Sequence, residues 1–172
     1  GFQMDAFNRS YYCRELVSSG QYEEGIKIYN KIQEEGVLNC IIYALPFFIT
    51  AMSIMKRHEE LAATLEAHPE WYEKNEVALC TLGDLMRRSG ANEKAEKYYY
   101  KAINLEINLD DLQVHFPAFY TYLPWIGICR IRLSEGNIDL GEEAVQKAAE
   151  FRPKNLNVML LKLYIERQRR RK

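Results

Sequence analysis

A chain of 172 residues that is 48% hydrophobic and 27% charged has the balance of a globular domain long enough to bury a core, which excludes extended disorder. The net charge is −1; setting aside the closing RQRRRK, whose five basic residues leave 18 basic against 24 acidic, gives a body of −6 and argues against a nucleic-acid partner. Glycine and proline together make only 14 of 172 residues and fall between periodic segments, which suits helices joined by short turns.

In chain order, apolar periodicity predicts helices near 5–18 and 22–35, on either side of Gly20. The next, near 39–56, contains the longest apolar stretch, IIYALPFFITAMSIM from Ile41 to Met55. It has no charge, but at about 15 residues with Pro46 inside it is shorter than the roughly 20 that a membrane span needs, so it reads as a buried helix. A short helix near 58–67 ends at His68-Pro69. Helices near 75–89 and 92–107 flank Gly90, and INLDDLQVHFPAF supplies a connecting loop. Helices near 117–134 and 138–150 flank Gly136. The last, near 155–168, has an apolar stripe at Val158, Leu161 and Ile165 and a charged end, as a helix covering the final repeat should.

Aligning Gly20, Gly90 and Gly136 brings three segments into register. Seven residues before each glycine stands Cys13, Gly83 or Cys129, and eight before stands Tyr12, Leu82 or Ile128. Five after come Gly25, Ala95 and Gly141; nine after, Tyr29, Tyr99 and Val145; twelve after, Ile32, Ala102 and Ala148. Small residues on two antiparallel helices let their backbones approach, large neighbours fill the space around them, and the glycine ends the first helix in a left-handed turn. The pattern resembles the tetratricopeptide repeat, a helix hairpin of about 34 residues. The resemblance implies an all-α fold, a right-handed α-solenoid of about four hairpins plus a capping helix. The units would span 5–37, 38–70, 75–108 and 117–153, the capping helix 155–168 and the basic tail 167–172, all in a single domain covering 1–172. The second unit lacks a turn glycine, and its turn is expected near Arg57, with Thr50 seven before and Ala62 five after.

The opening NRSYYCRELVSSGQYEEGIKIY and the closing YTYLPWIGICRIRLSEGN, followed by AAEFRPKNLNVMLLKLYIE, are together similar to the C-terminal repeat tail of bacterial family 2 glycosyltransferases. The likeness is strongest at the two ends and weak between 39 and 75. It implies a non-catalytic piece of a larger enzyme that holds a protein acceptor or joins subunits. The catalytic half of such enzymes is a nucleotide-sugar-binding α/β domain with a metal-binding Asp-x-Asp motif, and LDDL at Leu109 to Leu112 lacks the spacer of that motif. Two other readings stay open: a free-standing adaptor that binds peptides, and the sensor half of a peptide-responsive regulator.

In such a solenoid the first helix of each unit lines a groove, through the residues thirteen, ten, six, three and two before each turn. Among them the candidates for binding are Arg14, Phe47, Met55, Asp84, Arg87 and Arg130, a set of basic groups with an apolar floor near Phe47 and Met55. A peptide with an acidic or polar face fits such a groove. The opposing reading pairs these arginines with neighbours such as Glu15 and Asp84, on a merely solvated face. In FPAFYTYLP, Pro117 suits a first helical turn and Pro124 should delay or kink the helix, offering Phe119, Tyr120 and Tyr122 either as an aromatic interface or as filling for the extra residues before them. Self-association remains open for a domain with one degenerate unit.

Nothing in the sequence carries catalysis, a cofactor or a metal. Cys13, Cys40, Cys80 and Cys129 lie inside apolar helical patterns without metal-type pairing, and read as reduced core residues. His58, His68 and His115 stand isolated in the sequence, and HEELA lacks the second histidine of a zinc-protease helix. No secretory signal pattern opens the chain, so the expected compartment is the cytoplasm.

Overall fold

The computed structural model describes residues 4–107 and 114–171. Among these the elements are α1 (Ala6–Ser18), α2 (Tyr22–Glu35), α3 (Leu38–Ile54), α4 (His58–Ala67), α5 (Pro69–Tyr72), α6 (Glu76–Arg88), α7 (Asn92–Ile103), a 3-10 turn (Pro117–Phe119), α8 (Tyr122–Ser134), α9 (Ile138–Phe151) and α10 (Leu156–Arg169). The fold is all-α, built of helix hairpins. LDDL at 109–112 lies outside the described residues but for the sequence itself.

The chain forms two compact units, 1–78 with 106–115, and 79–105 with 116–172. In the first, α1 and α2 make a hairpin on which α3 packs, followed by α4 and α5. Its core includes Cys13, Leu16, Ile26, Tyr29, Ile32, Leu45, Phe48, Met52, Leu61, Leu65 and Trp71. In the second, α8 and α9 make a hairpin between α7 and α10, and Cys80, Tyr99, Ile128, Cys129, Val145, Val158 and Ile165 share one cluster.

The repeat register is visible atom by atom. Tyr29, Tyr99 and Val145, nine residues after their turns, are all fully buried, and so are Ile32, Ala102 and Ala148. The small pair of the first hairpin is in contact: the Cys13 thiol donates to the Gly25 carbonyl at 3.4 Å. Gly20, Gly90 and Gly136 have φ of +84°, +84° and +81°. In each case the glycine N–H returns to the carbonyl three residues back, and the next N–H to the carbonyl five back, as Gly20 to Val17 and Gln21 to Leu16 show. This pair of bonds satisfies the orphan carbonyls at a helix end, and only a residue comfortable at positive φ makes it without strain.

The second hairpin makes the same turn without glycine. Lys56 takes φ +59°, its N–H bonds to Ser53 and that of Arg57 to Met52. The turn thus falls at Lys56, one residue before the expected Arg57. The corrected register puts Ile49 and Leu61, both buried, where Thr50 and Ala62 were expected. A bulky pair in place of a small one explains why the repeat pattern fades here.

Three further differences are local. Asn104 caps α7, its side-chain amide donating to the Tyr100 carbonyl at 2.8 Å, so the helix stops at Ile103 rather than 107. Regular helix begins again at Tyr122 instead of 117, with Pro124 third in α8, where a missing N–H costs no helical bond. Pro69 opens the short α5, which periodicity did not announce.

Candidate functional site

In the first unit an aromatic ladder runs across α1 and α3. Phe7 and Tyr11, one helical turn apart, meet edge-on with ring centroids 4.9 Å apart. Tyr11 reaches Tyr43 at 5.0 Å, and Tyr43 reaches Phe47 at 6.2 Å. Phe7 is 52% exposed, and the other three rings are half-buried. Arg14 lies against the ladder: its guanidinium carbon is 5.3 Å from the Tyr11 ring centre, and Nη1 donates to the Tyr43 hydroxyl at 3.0 Å. Nε and Nη2 donate to Glu15 at 3.0 and 2.8 Å. The Glu15 hydrogen bond, ahead of Tyr43, raises the Arg14 pKa. The Arg14 charge is shared with Glu15 across a solvent-exposed pair, which is weak and screened by salt.

Tyr43 is what sequence reasoning missed. With the turn placed at Arg57, position thirteen before it is Ala44 and position six before is Ala51, and both are fully buried. Counting from Lys56 instead brings Tyr43 to the first of these positions and Thr50 to the second. The signal was present as tyrosines at Tyr11 and Tyr43, but only the packing register joins them. Ser10, Val17, Val77, Cys80 and Ile126, also counted to the groove, are buried as well, because this face of each first helix turns inward along part of its length. Met55 caps α3, half-buried, beside a shallow depression lined by Gly20, Gln21, Tyr22, Glu23 and Glu24.

In the second unit Asp84 and Arg87 have an internal task. The Tyr99 hydroxyl donates to Asp84 Oδ1 at 2.7 Å and also bonds Arg87, whose Nη2 stands 3.5 Å from Asp84. Burial, followed by the Asp84 charge, pushes the Tyr99 hydroxyl well up from its usual range, so it remains a donor. The ring itself fits between two glycines. A Cβ on Gly83 would meet it at 2.6 Å and one on Gly127 at 2.2 Å. Arg130 reaches from α8 to α10, donating to Asn157 Oδ1 at 3.0 Å. Of the three arginines, then, Arg14 and Arg87 carry intramolecular carboxylate partners, and Arg130 carries an amide.

The aromatic candidates pack inward. Phe119 and Tyr122 lie against the core cluster of the second unit, and Phe119 meets Phe116 edge-on at 6.4 Å. Tyr120 is half-buried.

The histidines are less isolated than their spacing suggests. His68 stacks on Trp71, centroids 3.6 Å apart and planes within 6°, with Nδ1 3.0 Å from Glu70. His115 Nδ1 lies 3.3 Å from Oε2 of Glu76, which is fully buried in the first turn of α6. Asn75 precedes it, accepting the Ala78 N–H at 2.9 Å. Among the described residues no group of three His, Cys, Asp or Glu side chains stands close enough to hold a metal, and no helix is long and apolar enough to cross a membrane.

Residues 77–106, which take in α6 after Glu76, the Gly90 turn and α7, match the family model of the tetratricopeptide repeat. No curated protein matches the chain. The matched hairpin, and the same turn geometry at Gly20, Lys56 and Gly136, make this a helical repeat domain of tetratricopeptide-like hairpins.

Proposed function

We propose that the chain is a non-catalytic scaffold that holds a peptide segment of a protein partner on the ladder of Phe7, Tyr11, Tyr43 and Phe47, with Arg14 as its polar anchor. The observation that carries this reading is the coincidence, in one unit, of a contiguous ladder of rings, exposed at Phe7 and half-buried at the other three, and a cation that bonds Tyr43 and Glu15. Aromatic faces take apolar or proline side chains at low entropic cost, and a fixed guanidinium recognises a carboxylate. The ligand is therefore a segment with an apolar residue followed or preceded by an acidic one.

Random peptides displayed against the chain test this. Selected peptides are expected to carry that pattern, and to lose at least about tenfold in affinity with Phe47→Ala, Tyr43→Ala or Arg14→Glu, the size typical of an interface anchor. Equal binding by all three variants sinks the reading. Reversal at Arg87 or Arg130 is expected to matter less, since those side chains belong to the second unit and bond Asp84, Tyr99 and Asn157 rather than the ladder.

The paired end-segment similarity supports placing this scaffold as the repeat tail of a family 2 glycosyltransferase, where the bound segment would belong to the protein acceptor. Reading the frame upstream of residue 1 tests that: a sugar-nucleotide domain with an Asp-x-Asp motif supports it, and a helix-turn-helix domain replaces it with the regulator.

A further inference from the structure

A helix packed by one face on a core ordinarily turns a polar face to water. α10 does not. Its inner face, Val158, Leu161 and Ile165, is packed into the core. Its outer face repeats at helical spacing, with Leu156 69% exposed, Met159 48%, Leu160 54%, Leu163 49% and Tyr164 46%. Phe151, at the end of α9, adds a ring that is 50% exposed. The helix is not free to roll this stripe inward. Arg130 holds Asn157 at one end, and at the other Arg169 Nη2 lies 2.8 Å from Asp139 and 2.5 Å from Glu142.

Charge on this segment is as one-sided as its apolar surface. From residue 152 to 172 the sequence has eight basic residues and one acidic, Glu166, leaving 15 basic against 23 acidic in the rest of the chain. Arg167 lies four residues after Leu163 and seven after Leu160, Arg170 seven after Leu163, and Arg171 seven after Tyr164, so the apolar face continues into a basic one along the same side of the helix. Arg169 is engaged by α9, whereas Lys154, Lys162, Arg167, Arg170 and Arg171 have no ion-pair partner among the described residues.

We propose that the outer face of α10 docks on an anionic phospholipid surface, with Leu156, Met159, Leu160, Leu163 and Tyr164 entering the headgroup boundary and the arginines beyond them contacting lipid phosphates. An amphipathic helix lying in the interface needs this combination of large apolar side chains, an aromatic edge and long cationic chains that reach back to the headgroups. The basic end disfavours a second copy as occupant: parallel pairing sets the Arg167–Arg171 segments side by side, and antiparallel pairing sets each against Arg152, Lys154 and the positive end of the other α10. The docking adds to the peptide-binding reading and uses a different surface.

Flotation of the full chain with large unilamellar vesicles tests it. Binding is expected to vesicles of phosphatidylcholine with about 30 mol% phosphatidylglycerol, with little to phosphatidylcholine alone, and to fall as salt rises. Leu160→Ser with Leu163→Ser should weaken partition at least about tenfold, as should Arg170→Glu with Arg171→Glu, because each pair removes one of the two signals that interfacial binding requires. All these side chains are exposed, so unchanged circular dichroism and melting are expected to show that the variants fold. The emission that Tyr164→Trp adds to that of Trp71 and Trp125 should shift to the blue only with anionic vesicles. Absence of wild-type flotation, equal binding to neutral vesicles, or insensitivity to both pairs overturns the proposal. So does a lipid-free dimer in sedimentation that the leucine pair dissolves, or an acidic peptide from the display experiment whose binding that pair abolishes, since either assigns the face to protein. Ladder variants Phe47→Ala and Tyr43→Ala should leave flotation unchanged, which separates failure of this proposal from failure of the peptide reading.

Discussion

Gly127 and Lys56 show at the level of single residues how differently two backbone positions can depend on a side chain. Gly127 leaves the space that the Tyr99 ring fills, so Gly127→Ala must displace a fully buried ring tied to Asp84. Overpacking of this kind is expected to cost about 1–3 kcal/mol in chemical denaturation. Gly90 has open space around its missing Cβ but a φ of +84°, and Gly90→Ala should cost about 1 kcal/mol through backbone strain alone. At Lys56 the sign reverses: φ is +59° with a side chain already in place, and Lys56→Gly should raise stability by about 0.5–1 kcal/mol despite the extra freedom of glycine in the unfolded chain. Loss of stability in that variant would mean that the lysine stem contributes packing that outweighs its strain. The three turn glycines could be read directly from the sequence because glycine advertises positive φ; Lys56 could not, because lysine does not.

Among the elements, α5 depends most on neighbours distant in sequence. Four residues form no stable helix alone. PEWY is held because Trp71 stacks on His68 and meets Tyr29 edge-on at 6.4 Å, while Tyr29 stacks on Phe48 at 4.2 Å. This aromatic column joins α2, α3 and α5 in the first unit. Trp71→Ala should therefore destabilise that unit by about 3–5 kcal/mol, the usual range for deleting a buried large aromatic, with tyrosine fluorescence following the loss. A cost below about 1 kcal/mol would show that α5 is peripheral. Helices such as α2, α7 and α9 needed no such help to be recognised, since their apolar faces repeat at helical spacing and each follows a glycine turn.

Across the whole molecule the four cysteines provide a readout of both units. Cys13 and Cys40 belong to the first and Cys80 and Cys129 to the second, and all four are buried. Burial pushes the Cys13 thiol up to about 12 and Cys129 up to about 11, and raises Cys40 and Cys80 as well. At pH 8 the native chain should react with a small disulfide reagent at least about a hundredfold more slowly than the denatured chain, each pair reporting the opening of its own unit. The folded-state values lie above the ordinary 9.0, so the folded protein keeps protons that the unfolded chain releases. Their contribution to stability is complete below about pH 9 and is lost as pH rises towards 11 and 12. The melting temperature should fall over that window, and less steeply after Cys13→Ala. A flat profile would show that the thiols are reached by water in the native state.

The all-α class, the hairpin repeat, the turn glycines and the core positions nine and twelve residues after them were legible in the residues alone, because each rests on spacing within a few turns of helix. Tertiary structure decided what stands together across the chain: Arg14 with Tyr43, 29 residues apart, His115 with Glu76, 39 apart, and Arg132 with Glu96, 36 apart. The first of these depends on the packing register between α1 and α3, which a one-residue shift of the turn at Lys56 is enough to alter. The outer face of α10 belongs to the same class. Its leucines are as periodic as those of the inner face, and only the packing of Val158 and Ile165 and the pinning of Asn157 and Arg169 decide which of two apolar faces enters the core.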